Sequence, residues 1–334
     1  MNKLKVGIAG YNLIGQLHAE KFRNHPKVGS IIVADPEQRP NDHSVKWVKD
    51  YHDLAGCDAV VIALPTNLHL LAVEYFAPKG IAMLIEKPLA TDYKEALQIQ
   101  QVLSQCEVPA MCGLLGLYHP EFRARYDNLQ SIGEILSVAE NLHEANPGLE
   151  RFHDETRGVL NINGIHTIHR FYKIASLIAI EEILIPDQIF LSRNHFASYT
   201  AEDTAQGLLT LGRNNKVPFS FSMSFRNSHK CDNKKKIDYT TKIDGKNGTI
   251  LVTGWEKCEL LKNGKTTSLF THDLGPLGNA SQYTRIAISL EKEIDEFIRF
   301  EHSARNSGNK MHFTLNEAVA SHRLLEECYM KAQR

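Results

Sequence analysis

Leu4-Lys5-Val6-Gly7-Ile8-Ala9-Gly10-Tyr11-Asn12-Leu13-Ile14-Gly15 joins an apolar run to a glycine turn. The run from residue 4 to residue 9 is long enough for one buried strand. Beyond Gly15, apolar residues recur every three or four positions as far as Phe22, which is the spacing of an amphipathic helix. The stretch therefore predicts a strand, a turn and a helix in succession, the context in which a glycine motif has structural meaning.

The two glycines that bound the turn have separate expected roles. Gly10 makes the tight turn, and Gly15 lets the helix approach the strand closely. The first helical turn, at Leu13 and Ile14, presents main-chain N–H groups and the positive end of the helix dipole. Because such a terminus binds a pyrophosphate, the pattern indicates a dinucleotide site. The alternative is a helix start whose glycines are incidental.

Asn12 occupies the position of the middle glycine in such a motif. The backbone there has to pass close to phosphate, so a side chain adds bulk. Asparagine is, after glycine, the residue most tolerant of left-handed backbone. We therefore expect Asn12 to preserve the turn in a left-handed conformation.

A second apolar run, residues 31–34, ends at Asp35, about twenty residues past Gly15. A dinucleotide fold places there the carboxylate that accepts hydrogen bonds from the adenosine ribose. The same carboxylate would repel the 2′-phosphate of NADP. Pro36 follows it rather than an arginine, and Arg39 is the nearest cation. The sequence therefore predicts NAD as cofactor, with NADP less favoured.

The bulk composition excludes several classes of function. The 334 residues carry a formal net charge of -1, so no overall field favours nucleic acid or an anionic membrane. The sequence has no apolar run near the length of about 18 residues that a membrane span needs. Its six cysteines are scattered without a C-x-x-C pair. This favours reduced thiols in a cytoplasmic protein over disulfides or a zinc site.

Residues 1–119 predict a doubly wound, parallel α/β sheet. Apolar runs at 58–64, 81–85 and 110–115 alternate with helical patterns. Polar residues follow these runs, at the edge where such sheets bind ligands. They include Leu64-Pro65-Thr66, then His69 on the first turn of a helix, and the segment Glu86-Lys87-Pro88. We expect them to lie beside the cofactor.

Residues 120–334 predict an α+β domain with a large, mostly antiparallel sheet. Strand patterns follow one another between residues 188 and 270 without intervening helices. Asn263-Gly264 is the preferred two-residue hairpin turn. A helix over 162–177 would cover one face, and two helices, near 286–301 and 316–331, would close the chain.

Lys87 is the most informative ionisable residue, because it directly follows a buried strand. A lysine at the carboxyl end of a nucleotide-binding sheet can exchange a proton with a substrate hydroxyl. The alternative is a surface ion pair with Glu86.

His166 and His169 form a second cluster, one helical turn apart. Without an acidic third ligand this pair is a weak metal signal, so no metal site is predicted. His166 is expected to face a cleft as an acid/base partner, or else to be packed.

The chain resembles the glucose-fructose oxidoreductase / inositol dehydrogenase / rhizopine-catabolism (Gfo/Idh/MocA) family along nearly its whole length. The matching segments are the Gly10 to Gly15 turn, Ile62 to His69, Glu86-Lys87-Pro88-Leu89, Gly133-Glu134-Ile135, Gly164-Ile165-His166, Asp244 to Thr249 and the final helix. The resemblance implies a Rossmann domain, an open-faced sheet domain, and NAD(P)-dependent chemistry on a sugar, inositol or related polyol. It implies that Lys87 is the catalytic lysine and His166 the catalytic histidine. It also implies a homodimer or homotetramer.

Three positions depart from the pattern of that family. Ile162 stands where members often have an aspartate, and the neighbouring Asn163 offers only a neutral hydrogen-bonding group. Leu117 replaces an arginine, and His169 replaces an acidic residue. We therefore expect a dehydrogenase in which Lys87 transfers the proton, His166 orients the substrate oxygen and Asn163 helps to position it. The alternative is a non-catalytic sensor that binds a dinucleotide and a sugar.

Overall fold

The computed structural model describes residues 3–37, 45–145, 158–178, 184–193, 202–211, 217–226, 237–272, 279–307 and 313–332. Two compact units divide the chain. Unit 1 comprises residues 1–115 and 289–322, and unit 2 comprises residues 116–288 and 323–334. Arg39, Cys231 and the basic run 234–236 lie outside the described residues.

Unit 1 is built on a parallel sheet that has six strands within the described residues. The order across the sheet is β3-β2-β1-β4-β5-β6. In chain order its elements are β1 Leu4–Ala9, α1 Leu13–Asn24, β2 Val28–Ala34, β3 Lys46–Val48, β4 Ala59–Ile62, α2 His69–Phe76, β5 Ala82–Glu86, α3 Tyr93–Cys106 and β6 Ala110–Gly113. Every residue of β4 and β5 is buried, as expected for parallel strands covered on both faces.

Two late helices contribute to unit 1. They are α7, Asn279–Ser307, from Ser289 onward, and α8, Phe313–Ala332, as far as His322. Phe297 of α7 packs edge-on against Phe22 of α1, with ring centroids 6.4 Å apart. The compact units therefore differ from the predicted ranges 1–119 and 120–334, because residues 289–322 pack with the N-terminal segment.

Unit 2 contains a sheet that has eight strands within the described residues, in the order β14-β13-β12-β11-β7-β10-β9-β8. Its elements are α4 Pro120–Asp127, β7 Ile135–Ala145, α5 Val159–Ile162, α6 Gly164–Ile178, β8 Leu184–Ser192, β9 Thr204–Leu211, β10 Pro218–Arg226, β11 Ile237–Gly245, β12 Gly248–Thr253, β13 Lys257–Lys262 and β14 Lys265–Thr271. The pairing is antiparallel except that β10 runs parallel to β7.

The core of unit 2 lies between this sheet and α6. Phe171 of α6 meets Phe219 of β10 edge-on at 5.3 Å, and both side chains are fully buried. At the far end of the sheet, Asn263 and Gly264 have positive φ angles of 52° and 69°, the backbone that a two-residue hairpin requires. This confirms the predicted turn, and the two sheets together confirm the predicted fold class.

Several local features differ from the predictions. The helix predicted over 162–177 corresponds to α6, which begins two residues later, at Gly164, and the short helix α5 before Asn163 was not predicted. Strand β3 and helix α4 were not predicted. The five cysteines within the described residues have free thiols. None of the described helices combines the length and hydropathy that crossing a membrane requires.

Candidate active site

The strand register brings the predicted cofactor residues of unit 1 to one edge of the sheet. Ala9 of β1 pairs with Ala34 of β2 on one side and with Ile62 of β4 on the other. Because the three strands are parallel, the chain leaves all of them at the same level. Gly10 and Asp35 therefore emerge side by side at the carboxyl edge, where open parallel sheets bind ligands.

Gly10 and Gly15 have the roles that the sequence predicts. Gly10 adopts a φ of 91°, and a Cβ there would lie 2.4 Å from the carbonyl oxygen of Ala63. A Cβ at Gly15 would lie 2.1 Å from the carbonyl oxygen of Gly10. Side chains are thus excluded at both positions by backbone atoms, which cannot move aside cheaply. The turn leaves backbone, rather than side chains, facing the edge of the sheet.

Asn12 does not have the predicted left-handed backbone. Its φ is -68° and its ψ is -175°, which is an extended conformation open to any residue. The expectation was wrong because Gly10 alone supplies the positive φ of the turn. Asn12 is the exposed residue before α1, and its side chain does not cap the helix. The N–H groups of the first turn are consequently not capped by Asn12, and Leu13 beside them is 51% exposed.

Asp35 is attached to the glycine turn. Its Oδ2 accepts a hydrogen bond from the backbone N–H of Tyr11 at 2.8 Å, and its Oδ1 accepts one from Glu37 at 2.9 Å. Trp47 donates its indole N–H to the Asp35 carbonyl oxygen at 3.1 Å. These contacts fix the carboxylate at the end of β2. A carboxylate at this position of a dinucleotide fold is the group that accepts hydrogen bonds from ribose hydroxyls.

The loop after β4 carries Leu64, Pro65 and Thr66, and His69 holds it in place. His69 is 1% exposed, with Nε2 at 3.0 Å from the carbonyl oxygen of Leu64 and Nδ1 at 3.2 Å from that of Leu89. Burial lowers the pKa of His69, so the neutral ring donates to one of these carbonyls at a time. His69 thus links the loop after β4 to the segment that carries Lys87, and is buried rather than facing the edge of the sheet.

Glu86 and Lys87 lie at the end of β5. Glu86 is 8% exposed, so an ion pair at the surface, the alternative considered for this segment, does not match its position. Its Oε1 lies 2.7 Å from Nε2 of His18, and its Oε2 accepts the backbone N–H of Lys87 at 3.2 Å. Lys87 itself is half-buried. Two donors therefore hold the carboxylate that precedes Lys87.

These features fit a dinucleotide. The turn at Gly10 has no Cβ to obstruct a phosphate, α1 starts without a side-chain cap from Asn12, and Asp35 stands at the end of the neighbouring strand. This is the donor and acceptor set that a pyrophosphate and a ribose require.

In unit 2, Asn163 separates α5 from α6 and is hydrogen-bonded to a carboxylate. Its Nδ2 donates to Oε1 of Glu144 on β7 at 2.8 Å. The main-chain carbonyl oxygen of Asn163 accepts a hydrogen bond from the backbone N–H of His166 at 3.1 Å. The short helix, the break and His166 therefore form one local arrangement, with Glu144 beside it. Ile162 at the end of α5 supplies no acidic group.

His166 and His169 differ in their surroundings. His166 is half-buried, whereas His169 is 2% exposed. A Cβ built at Gly116 would lie 3.8 Å from Nδ1 of His166 and 3.1 Å from Nη1 of Arg170. His166 and Arg170, one turn apart on α6, thus both approach Gly116. The glycine leaves space for the guanidinium of Arg170 under the turn that carries His166.

A buried charge network supports this face of α6. Glu140 of β7 accepts hydrogen bonds from Nε and Nη2 of Arg170, from Thr167, from Tyr239 and from Thr241. Burial alone would raise the pKa of Glu140, but the charge and hydrogen bonds of Arg170 outweigh it and hold that pKa below its ordinary value. The network fixes the orientation of α6.

A second buried pair extends the network. Arg125 of α4 lies 3.2 Å from Glu121 and donates to the hydroxyl of Tyr239 at 3.0 Å. Sequence reasoning missed Glu121, Arg125, Glu140 and Arg170, because a charged residue in a sequence is ordinarily assigned to the surface. It also missed Glu144, and no spacing pattern marks it.

Comparison with known proteins matches residues 4–114 to the family described as "Oxidoreductase family, NAD-binding Rossmann fold". The chain is 26% identical over 175 residues to the rhizopine catabolism protein MocA of Rhizobium meliloti, covering 50% of this chain and 55% of that protein. It is 27% identical over 144 residues to an inositol 2-dehydrogenase of Rhizobium meliloti (strain 1021), covering 40% of this chain and 44% of that protein. The chain thus matches about half the length of these curated relatives.

Among solved structures, the chain is similar to an oxidoreductase from Agrobacterium radiobacter in complex with NAD+, L-tartaric acid and magnesium. The TM-score is 0.81 at 19% identity, over 100% of this chain and 97% of that one. This likeness shows that both units have a known fold. Residues 4–114, with their glycine turn and Asp35, match the model of the Gfo/Idh/MocA oxidoreductases, whose description is an NAD-binding Rossmann fold.

Proposed function

We propose that this protein is a cytoplasmic NAD(P)-dependent oxidoreductase acting on the hydroxyl or carbonyl group of a sugar, inositol or related cyclic polyol. The observation that carries the proposal is the Asp35 carboxylate, bound to the glycine turn through the Tyr11 N–H at 2.8 Å. This carboxylate favours NAD, because a 2′-phosphate at the same ribose would meet its negative charge.

The cofactor would be held at the carboxyl edge of the unit 1 sheet. The turn from Gly10 to Asn12 would face the pyrophosphate, and the N–H groups of Leu13 and Ile14 would bind it. The loop of Leu64, Pro65 and Thr66, fixed by His69, would line the path towards Glu86 and Lys87. When bound, the nicotinamide ring supplies the group that accepts or donates the hydride.

Proton transfer belongs to the chain itself. Lys87 takes the proton from the substrate hydroxyl during oxidation and returns it to the carbonyl oxygen during reduction. His166 orients that oxygen. Asn163 helps to position the substrate, and its amide is oriented by the hydrogen bond to Glu144. Glu144, through this bond, supplies an acidic side chain next to the break, where Ile162 supplies none.

The names of the matched relatives support the substrate class. Two of them are a rhizopine catabolism protein and an inositol 2-dehydrogenase. The identity is low and the matched share is about half of each relative, so the proposal extends to the class of substrate and not to an individual compound. A homodimer or homotetramer is part of the same proposal and rests on the family resemblance.

The experiment separates an enzyme from a sensor. NADH is titrated by its fluorescence, and turnover is then measured against a panel of inositols, sugars and cyclic polyols with NAD and with NADP. An enzyme binds NADH and turns over at least one member of the panel. Binding of NADH with no turnover of any polyol would favour the sensor, which Ile162 would explain. Absence of NADH binding would contradict both.

A further inference from the structure

A buried cluster of three ionisable side chains lies in unit 1 and includes Glu86, the residue that precedes Lys87. It consists of His18 on α1, Glu86 at the end of β5 and Glu293 on α7, exposed by 0%, 8% and 0%. One nitrogen or oxygen atom from each side chain lies within 4.8 Å of the others. Two carboxyl groups therefore share one largely buried pocket.

The two carboxyl groups have unequal sets of donors. Glu86 faces Nε2 of His18 at 2.7 Å and accepts the Lys87 N–H at 3.2 Å. It stands opposite Gly113 of β6, where a Cβ would come within 3.3 Å of its carboxyl carbon. By contrast, both carboxyl oxygens of Glu293 have no hydrogen-bond partner among the described residues. The pocket is therefore built to stabilise a negative charge on Glu86 and not on Glu293.

Two carboxylates this close in a low-dielectric pocket cannot both ionise at neutral pH. The charge goes to the carboxyl with donors, and the proton to the one without them. In agreement, burial and then the charge of Glu86 raise the pKa of Glu293 well above its ordinary value. The other titratable groups nearby are the thiol of Cys112 on β6, Lys87, and His69, whose pKa is lowered by burial. Burial raises the pKa of Cys112, so this thiol stays neutral.

We propose that Glu293 is a permanently protonated member of this cluster and a positioning residue for Lys87. Because Glu293 stays neutral, the donors of the pocket serve Glu86 alone, and Glu86 holds the backbone of Lys87. Lys87 then works beside a single negative charge. The protonation of Glu293 does not depend on what the protein catalyses, whereas the positioning role rests on the proposed function of Lys87.

A metal ion is the competing occupant, and the geometry disfavours it. Two ligands of one zinc ion, with bonds of about 2.0–2.1 Å, lie about 3.3 Å apart in a tetrahedral site. His18 Nε2 and Glu86 Oε1 are 2.7 Å apart, which is the separation of a direct hydrogen bond.

Infrared spectroscopy tests the protonation state directly. The full chain is labelled with ¹³C at the glutamate side-chain carboxyls, and the C=O band of protonated glutamate is measured at pH 7. Glu293→Gln is expected to remove one residue's share of that band. Glu291→Gln, a surface substitution on the same helix, is the matched control and should leave the band unchanged. An unchanged band in folded Glu293→Gln would overturn the proposal.

The pH dependence of stability gives a second test with a defined sign. A carboxyl whose folded pKa is raised stabilises the fold below its unfolded pKa, and this stability is lost as the pH rises towards the folded pKa. The melting temperature of the wild type should therefore fall more between pH 6 and pH 9 than that of Glu293→Gln. Equal slopes for the two proteins would contradict a protonated Glu293.

The positioning role is tested by conservative rescue. Glu293→Gln keeps the size and the polarity of a protonated glutamate beside the Glu86 carboxylate, whereas Glu293→Leu keeps only the size. We expect kcat of Glu293→Leu to be about 10- to 100-fold below that of Glu293→Gln, with NADH affinity equal in both. Equal kcat values would overturn the positioning role.

One equivalent of metal ion bound to the wild type and absent from Glu293→Gln would overturn the proposed protonation of Glu293. If the wild type turns over no polyol, the proposed function fails while the infrared result still decides the protonation.

Discussion

Arg170 and Glu140 form a two-pronged ion pair in the interior of unit 2, with each side chain 1% exposed. Arg170 lies one helical turn beyond His166, so this pair fixes the part of α6 that carries the predicted catalytic histidine. Removing one partner leaves the other charge buried without compensation, which costs more than the pair contributes.

Arg170→Met is therefore expected to lower the free energy of unfolding by about 3–5 kcal/mol. The matched control is Arg123→Met, because the pair between Arg123 and Asp127 is solvent-exposed at 3.5 Å and should change stability by less than about 1 kcal/mol. Denaturant unfolding of the full chain measures both. Equal losses would mean that Glu140 finds other partners when Arg170 is absent.

Gly10→Ala is expected to abolish NADH binding and to lower the melting temperature. The new Cβ would meet the Ala63 carbonyl oxygen at 2.4 Å. Gly80→Ala is the matched control, since Gly80 also has a positive φ, of 69°, but nothing lies within 4 Å of its Cβ position. Both variants carry the strain of a positive φ, so the difference between them isolates the steric contact. Similar NADH affinity in the two variants would count against the close approach at Gly10.

Asn12→Gly should have a small effect for a reason different from that expected at first. The extended backbone of Asn12 gives glycine no advantage of handedness. Replacing an asparagine before a helix with glycine costs only a few tenths of a kcal/mol. Removing the side chain also takes bulk away from the pyrophosphate, so NADH affinity should be unchanged or improved. A large loss of affinity, measured by NADH fluorescence, would show that the Asn12 side chain contacts the cofactor.

Asp35→Asn is expected to reduce the preference for NADH over NADPH, because it removes the charge that opposes the 2′-phosphate. Asp58→Asn is the control. Asp58 also accepts a backbone N–H, that of Lys5 at 2.8 Å, but it precedes β4 at the opposite edge of the sheet. Titration of both reduced cofactors against the three proteins gives the ratios. Tighter NADPH binding by the wild type would place the ribose away from Asp35.

Lys87→Met should lower turnover by roughly 10²–10⁴ while NADH still binds, since general acid–base catalysis contributes about that much. Lys94→Met, which alters an exposed lysine of α3, should leave turnover unchanged.

His166→Asn should lower turnover less than Lys87→Met does, and should act mainly on KM. If both residues serve the same substrate oxygen, as proposed, the two losses should not add in the double variant. Additive losses would assign them to separate steps.

The sequence predicts the sheet of unit 1 well because its strands are short, apolar and buried on both faces. It fails at α4 for a physical reason: Glu121 and Arg125 neutralise each other inside the protein, so the buried face of this helix has the sequence of a polar one. Strand β3 has only three residues, which is too few for an alternating pattern.

The residues of the candidate site also divide into those that the sequence predicts and those that it does not. Gly10 and Asp35 could be predicted because each acts through its own backbone or strand position. The role of Glu293 could not be predicted, because it depends on the closeness of its carboxyl group to that of Glu86, a residue far away in the sequence. Glu144 likewise becomes informative only through its hydrogen bond to Asn163.

The two-segment construction of unit 1 has a consequence for synthesis on the ribosome. Residues 1–115 emerge first, but Phe22 and Glu86 gain their neighbours Phe297 and Glu293 only after residues 116–288 of unit 2 have been translated. Until then, part of the apolar surface of α1 is uncovered, and uncovered apolar surface promotes aggregation. The first segment of unit 1 is therefore made before any other part of the chain, and it waits for its second segment until residues 116–288 have been made.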